Sequence, residues 1–170
     1  MKNILNSTFD TQHQSAPFNS IKTEDYIPAI ELEINKTLKE IEVICSNPET
    51  PTFQNTLDAL DESGKQLGII SGILFNLNSA ETSPELQEVT QLAAPLLTKF
   101  QNDIRLNKAL FIRIKAIYEQ KEELSLTPEQ LTLIEKEYKS FVRNGALLSS
   151  EDKDKLREID TESAQLSLLF

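Results

Sequence analysis

An all-α fold of about six helices, stacked as an antiparallel, bundle-like array, is what this 170-residue chain predicts, and three observations carry the prediction. Apolar residues recur every third or fourth position through successive segments, as the buried stripe of an amphipathic helix requires. Helix-starting combinations, Ser83-Pro84-Glu85 and Thr127-Pro128-Glu129-Gln130 above all, stand in front of those stripes. No stretch alternates apolar and polar residues for long enough to make a strand.

Residues 1–22 read as an irregular, polar arm with isolated Phe9 and Phe18, and residues 23–170 as the helical domain. In the first helix Ile27, Ile30, Ile34, Leu38, Ile41 and Cys45 form the stripe. Pro28 sets its first turn apart from the rest, and Asn47-Pro48 stops it. The second helix is expected to start at the Thr52 cap and run to about Asn78, with Phe53, Leu57, Leu60, Gly64, Leu67, Ser71 and Leu74 on one face. Ser83 caps the third, whose inward face is Leu86, Val89, Ala93, Leu96, Phe100 and Ile104, and Pro95 should kink it or loosen a turn. Asn107 caps a fourth helix carrying Leu110, Phe111, Ile114 and Ile117. A capping box formed by Thr127 and Gln130 opens the fifth, with Leu131, Ile134, Tyr138, Phe141 and Val142, and Gly145 closes it. Ser149 or Ser150 starts the sixth, with Leu156, Ile159, Leu166 and Leu169 on its apolar side.

Three of the four glycines, Gly64, Gly68 and Gly72, fall four apart inside the second helical pattern. A glycine inside a helix costs about 0.8–1 kcal/mol relative to alanine, so this ladder calls for a compensating gain. Residues four apart share a face, so the three are expected to form a bare seam against which a neighbouring helix packs closely. On that reading Gly68→Leu would overpack the seam. The same spacing supports dimerisation in membranes, but the surrounding polarity rules that use out here.

Charge restricts the partners. With 27 acidic and 17 basic residues the net charge is −10, which disfavours a nucleic-acid backbone and an anionic membrane surface alike. No apolar run has the length of a membrane span, and the N-terminus MKNILNSTFD has no signal-peptide pattern, which points to the cytoplasm and leaves the periplasm open. A single cysteine, Cys45, allows no intrachain disulfide and reads as a buried, inert thiol. The last helix carries no stop signal and ends SAQLSLLF, so the expectation is a polypeptide that continues past Phe170.

No catalytic or metal-binding residue can be assigned. The one histidine, His13, lies in the arm and reads as a solvated loop residue. A zinc helix of the HExxH type needs two histidines. The glycine spacing does not match a dinucleotide loop, and the acidic runs at Glu122-Glu123 and Glu151 to Asp154 read as solvated faces.

Several segments in order nevertheless resemble one family. PFNSIKTEDYIPAIELEI (Pro17 to Ile34), NPETPTFQNTLDALDESGKQL (Asn47 to Leu67) and FNLNSAETSPELQ (Phe75 to Gln87) are followed by LNKALFIRIKAIYEQ and FVRNGALLSSEDKDKLREI. Together they resemble the N-terminal helical region of the thimet-oligopeptidase-like zinc metallopeptidases, most nearly the bacterial peptidyl-dipeptidases. The resemblance implies a place in a larger, two-lobed helical peptidase fold. It implies zinc, bound by an HExxH helix and a further glutamate in the later part of the parent chain and by nothing in residues 1–170. It also implies that these helices wall the substrate channel, that the remaining catalytic domain and short peptides are the partners, and that the piece alone is silent. The residues themselves leave open a stand-alone helical module that binds a peptide or partner helix in a groove. They do not distinguish dipeptide release from internal cleavage.

Overall fold

A computed structural model describes residues 3–167, and over that range the protein is all-α, with no strand among the described residues. Six long helices carry the structure: α1 (Tyr26–Ser46), α3 (Lys65–Ala80), α4 (Pro84–Arg105), α5 (Lys108–Glu119), α6 (Pro128–Arg143) and α7 (Ser150–Leu166). A short α2 (Ala59–Glu62) follows a π-type segment, Phe53–Asp58. The starts follow the capping chemistry of the sequence. Ser83 Oγ accepts from Leu86 N at 3.2 Å, Asn107 Oδ1 from Leu110 N at 3.0 Å, and Ser149 Oγ from Asp152 N at 3.1 Å. At α6 the Thr127 hydroxyl accepts from Gln130 N at 3.3 Å while Gln130 Oε1 accepts from Thr127 N at 3.0 Å, a reciprocal box. Thr52 and Asn55 form the same box ahead of the π-type segment. α4 runs without interruption through Pro95.

The helices bury two cores. One joins Ile41 and Ile44 of α1, Phe53 and Leu57, and the α5–α6 pair through Leu110, Ile114, Ile117, Ile134 and Phe141. The other joins the first half of α1 to α3 and α4, through Tyr26, Ile30, Leu67, Ile70, Leu74 and Ala93. Each fully buried Leu, Ile or Phe contributes about 1.5–3 kcal/mol of transfer free energy, so both are substantial. The polar arm joins the second core. Leu5 is fully buried there, its carbonyl accepts from Gln66 Nε2 at 2.6 Å, and Asn3 Nδ2 donates to Asp25 O at 2.6 Å.

Three differences from the sequence reading have physical causes. The buried line of α1 is Tyr26, Ala29, Ile30, Glu33, Thr37, Ile41 and Ile44, rotated from the expected stripe. Two polar residues lie on it. Glu33 accepts from Asn6 Nδ2 at 2.9 Å and from Lys36 Nζ at 2.6 Å, and the Thr37 hydroxyl donates to the Glu33 carbonyl at 2.8 Å. The expected second helix is two helices, because the chain turns at Ser63-Gly64. Gly64 has φ 69 and ψ 11, the left-handed conformation that ends a helix. The apolar side of α7 is not a core face: α7 buries no residue, and Ile159 and Leu166 stand open. α7 is held to α4 by polar contacts, Arg157 Nη1 to Asp103 Oδ1 at 2.7 Å and Lys153 Nζ to Leu106 O at 3.3 Å. Leu169, expected on the same side, and the rest of the apolar end Leu168 to Phe170 lie outside the described residues.

Candidate functional site

Among the described residues no group of three or more His, Cys, Asp or Glu side chains could hold a metal ion. His13 is exposed, with φ 59, in a short turn of the arm. Cys45 is half-buried beside the first core, and its thiol donates to Asn107 Oδ1 at 3.8 Å. Burial pushes that thiol's pKa up, against the pull of the nearby Arg113 and the Asn107 contact. A thiol held in its protonated form is a poor nucleophile.

One concave feature of the surface is a cleft of about 800 Å³ between α3 and α7, floored by α4. Gly64, Gly68 and Ser71 line its α3 wall, and Asp160, Ser163 and Ala164 its α7 wall. On the floor, Arg105 Nη1 binds Glu137 Oε2 of α6 at 2.7 Å, and the guanidinium sits 5.0 Å from the centre of the Phe141 ring. That arginine is therefore committed to holding α4 on α6. Its neighbour Asn102, one turn earlier, is 8% exposed and also lines the cleft, and its Nδ2 has no hydrogen-bond partner among the described residues.

The glycine ladder divides between two roles. At Gly64 a Cβ would stand 3.1 Å from Thr37 Cγ2, so α1 does approach closely there. At Gly68 and Gly72 a Cβ would meet nothing within 4 Å. The expected packing seam of three glycines is corrected accordingly. Only Gly64 is a close contact, and it is not inside a helix. The spacing misled because Leu60 and Leu67 stay in phase across the turn, so the apolar period runs on while the backbone does not.

Sequence reasoning passed over one residue that organises a large part of the molecule. Arg113 of α5 is 6% exposed and has no carboxylate partner among the described residues. Its Nη1 donates to Asn47 O at 2.9 Å and Glu49 O at 3.3 Å, its Nη2 to Asn55 Oδ1 at 2.9 Å, and its Nε to the Thr56 hydroxyl at 3.2 Å. Five N–H donors on one rigid plane suit such a cluster of oxygens. The signature NPETPTFQNT is thus a loop wound around a buried guanidinium. The signal was present, since Arg113 falls on the face shared by Leu110, Ile114 and Ile117.

Comparison of the sequence with known families gives this all-α domain its class. Residues 27–153 fit the family model of the neurolysin/thimet oligopeptidase N-terminal domain, and the chain belongs to that family. Among characterised relatives, it is 38% identical over 158 residues to the dipeptidyl carboxypeptidase of Salmonella typhimurium, covering 93% of this chain and 23% of that protein. It is 36% identical over 153 residues to the Escherichia coli dipeptidyl carboxypeptidase, covering 90% of this chain and 22% of the relative. Oligopeptidase A of E. coli is more distant, 24% identical over 156 residues, with 92% and 23% covered. The chain therefore spans under a quarter of the length of these relatives.

Proposed function

We propose that this chain is the N-terminal, non-catalytic domain of a zinc metallopeptidase that releases C-terminal dipeptides from short peptides, and that it walls the substrate channel and is inactive alone. The observation that carries the reading is the match of nearly the whole chain to dipeptidyl carboxypeptidases at 36% and 38% identity, over less than a quarter of their length. The described residues do not fit a zinc site: they bring together no three ligands, and the sequence has one histidine. No chemical step is therefore assigned to them, and zinc belongs to the remainder of the parent polypeptide. What this domain contributes is shape, since a channel wall admits short unfolded peptides and excludes folded ones. Its partners are the catalytic remainder and those peptides. No described helix is long and apolar enough to cross a membrane, and a cytoplasmic location fits the reading.

The test has two arms. The purified chain with zinc and a short peptide should release no dipeptide. The chain fused to the part of the Salmonella typhimurium dipeptidyl carboxypeptidase that lies outside the matched region should release dipeptides. Release by the chain alone, or a folded fusion with no activity, contradicts the proposal. The open cleft favours a second reading, a stand-alone module that holds a peptide or a partner helix. An inert, folded fusion together with peptide binding by the isolated chain would support that reading instead.

A further inference from the structure

We infer that the cleft between α3 and α7 is the seat of one α-helix from the remainder of the full-length peptidase, an inference that rests on the function proposed above. Small residues stand on both walls, beside Leu67 and Phe75 on the first and Asp160 on the second. Gly68 and Ser71 line one, and Ser163, Ala164 and Ser167 line the other. A Cβ at Gly68 meets nothing within 4 Å among the described residues, so the propensity cost of that glycine is matched by no close contact there. Small residues on two flanking helices let a third backbone come close to both, within the roughly 8–10 Å separation of packed helices.

The floor carries an independent sign of an occupant. Asn102 is 8% exposed and lines the cleft, and its buried Nδ2 has no hydrogen-bond partner among the described residues. A buried amide donor left unpaired is costly, and an oxygen brought in by a partner would relieve that cost. On the α7 wall Asp160 makes no ion pair among the described residues, which fits a basic residue on the incoming helix. A helix suits these walls better than an extended peptide does. Extended peptides that bind by strand addition need free main-chain groups on a sheet edge, and the backbone groups of α3 and α7 are already paired within their own helices. The source of the helix is the other three-quarters of the relatives' length, since this chain covers 23% of the Salmonella typhimurium protein.

Thiol labelling at position 68 tests the inference. Gly68→Cys is placed in a Cys45→Ala background, and the modified residue is followed by mass mapping in the isolated chain and in the fusion described above. The thiol introduced at position 68 should label freely in the isolated chain and at least about tenfold more slowly in the fusion, with or without added peptide. Equal labelling in both, with the fusion folded by circular dichroism, overturns the inference. Protection that arises only on adding a short peptide assigns the cleft to substrate and overturns it as well. Mixing the two pieces unfused repeats the comparison without relying on the folding of the fusion. Dipeptide release by the same fusion reads the proposed function separately, so an active fusion whose introduced thiol still labels freely sinks the helix seat alone.

Discussion

The end of the molecule built around Arg113 and the side built around Gly68 are finished to different degrees. At the first, every guanidinium nitrogen has an oxygen partner and the α5–α6 core closes over it with Phe111 stacked on Tyr138 and Phe141, at ring distances of 5.7 and 6.2 Å. At the second, a glycine faces empty space, a buried amide has no partner among the described residues, and α7 rests on α4 through one ion pair and a lysine–carbonyl contact with no buried side chain of its own. The closed end accounts for its own residues. The open side carries the cost of glycine and of an orphaned donor with no compensating contact inside these residues. That asymmetry is the one expected if the open side is the helix seat proposed above.

The largest effect should come from the closed end. Arg113→Leu removes the donors to Asn55, Thr56 and the Asn47 and Glu49 carbonyls, and should destabilise by about 3–5 kcal/mol in urea unfolding. A loss below about 1 kcal/mol would mean that the loop does not depend on the guanidinium. Next, Ile114→Ala in the closed core should cost about 2–5 kcal/mol, while Leu166→Ala on α7 should change stability by less than about 0.5 kcal/mol. Equal losses at the two positions would erase the contrast between the regions.

The glycines sharpen the comparison further. Gly64→Ala places a side chain at φ 69 and 3.1 Å from Thr37, and should lower the unfolding free energy by about 1–2 kcal/mol. Alanine tolerated there without loss would remove the left-handed turn from the account. The smallest effect is with acid. Glu85 and Glu129, in the first turns of α4 and α6, are held below their ordinary pKa of 4.5 by their own backbone N–H groups first and by the Ser83 and Thr127 hydroxyls second. A carboxylate with a depressed folded-state pKa adds stability that is complete above its unfolded value and is lost as pH falls through the folded one. Glu129→Gln should therefore flatten the fall in melting temperature below pH 4.5, and an unchanged acid limb would contradict that cap.

Much of this was legible in the sequence, because local chemistry decided it. Ser83, Asn107, Thr127 with Gln130, and Ser149 cap the helices that their spacing announced. The apolar residues Leu110, Phe111, Ile114 and Ile117 are all buried. The illegible parts are those where a polar or bare residue does the work of an apolar one. Glu33 and Arg113 are buried because partners distant in sequence satisfy them, and Thr37 because its hydroxyl bonds back to the Glu33 carbonyl; hydrophobic periodicity is blind to such partners. The break at Gly64 was hidden by an apolar period that survives it. The open apolar side of α7 was misread for a related reason: Ile159 and Leu166 have core-like spacing, and spacing does not say whether a facing surface exists.

Gly68→Leu in the isolated chain, followed by its urea midpoint, tests the contrast between closed and open regions most directly. The side chain would extend into an open cleft from a helical position where leucine is the better former, so stability should stay level or rise by up to about 1 kcal/mol. A loss of about 1–3 kcal/mol, the signature of overpacking, would mean that α3 already packs closely at Gly68 and that the open side is closed.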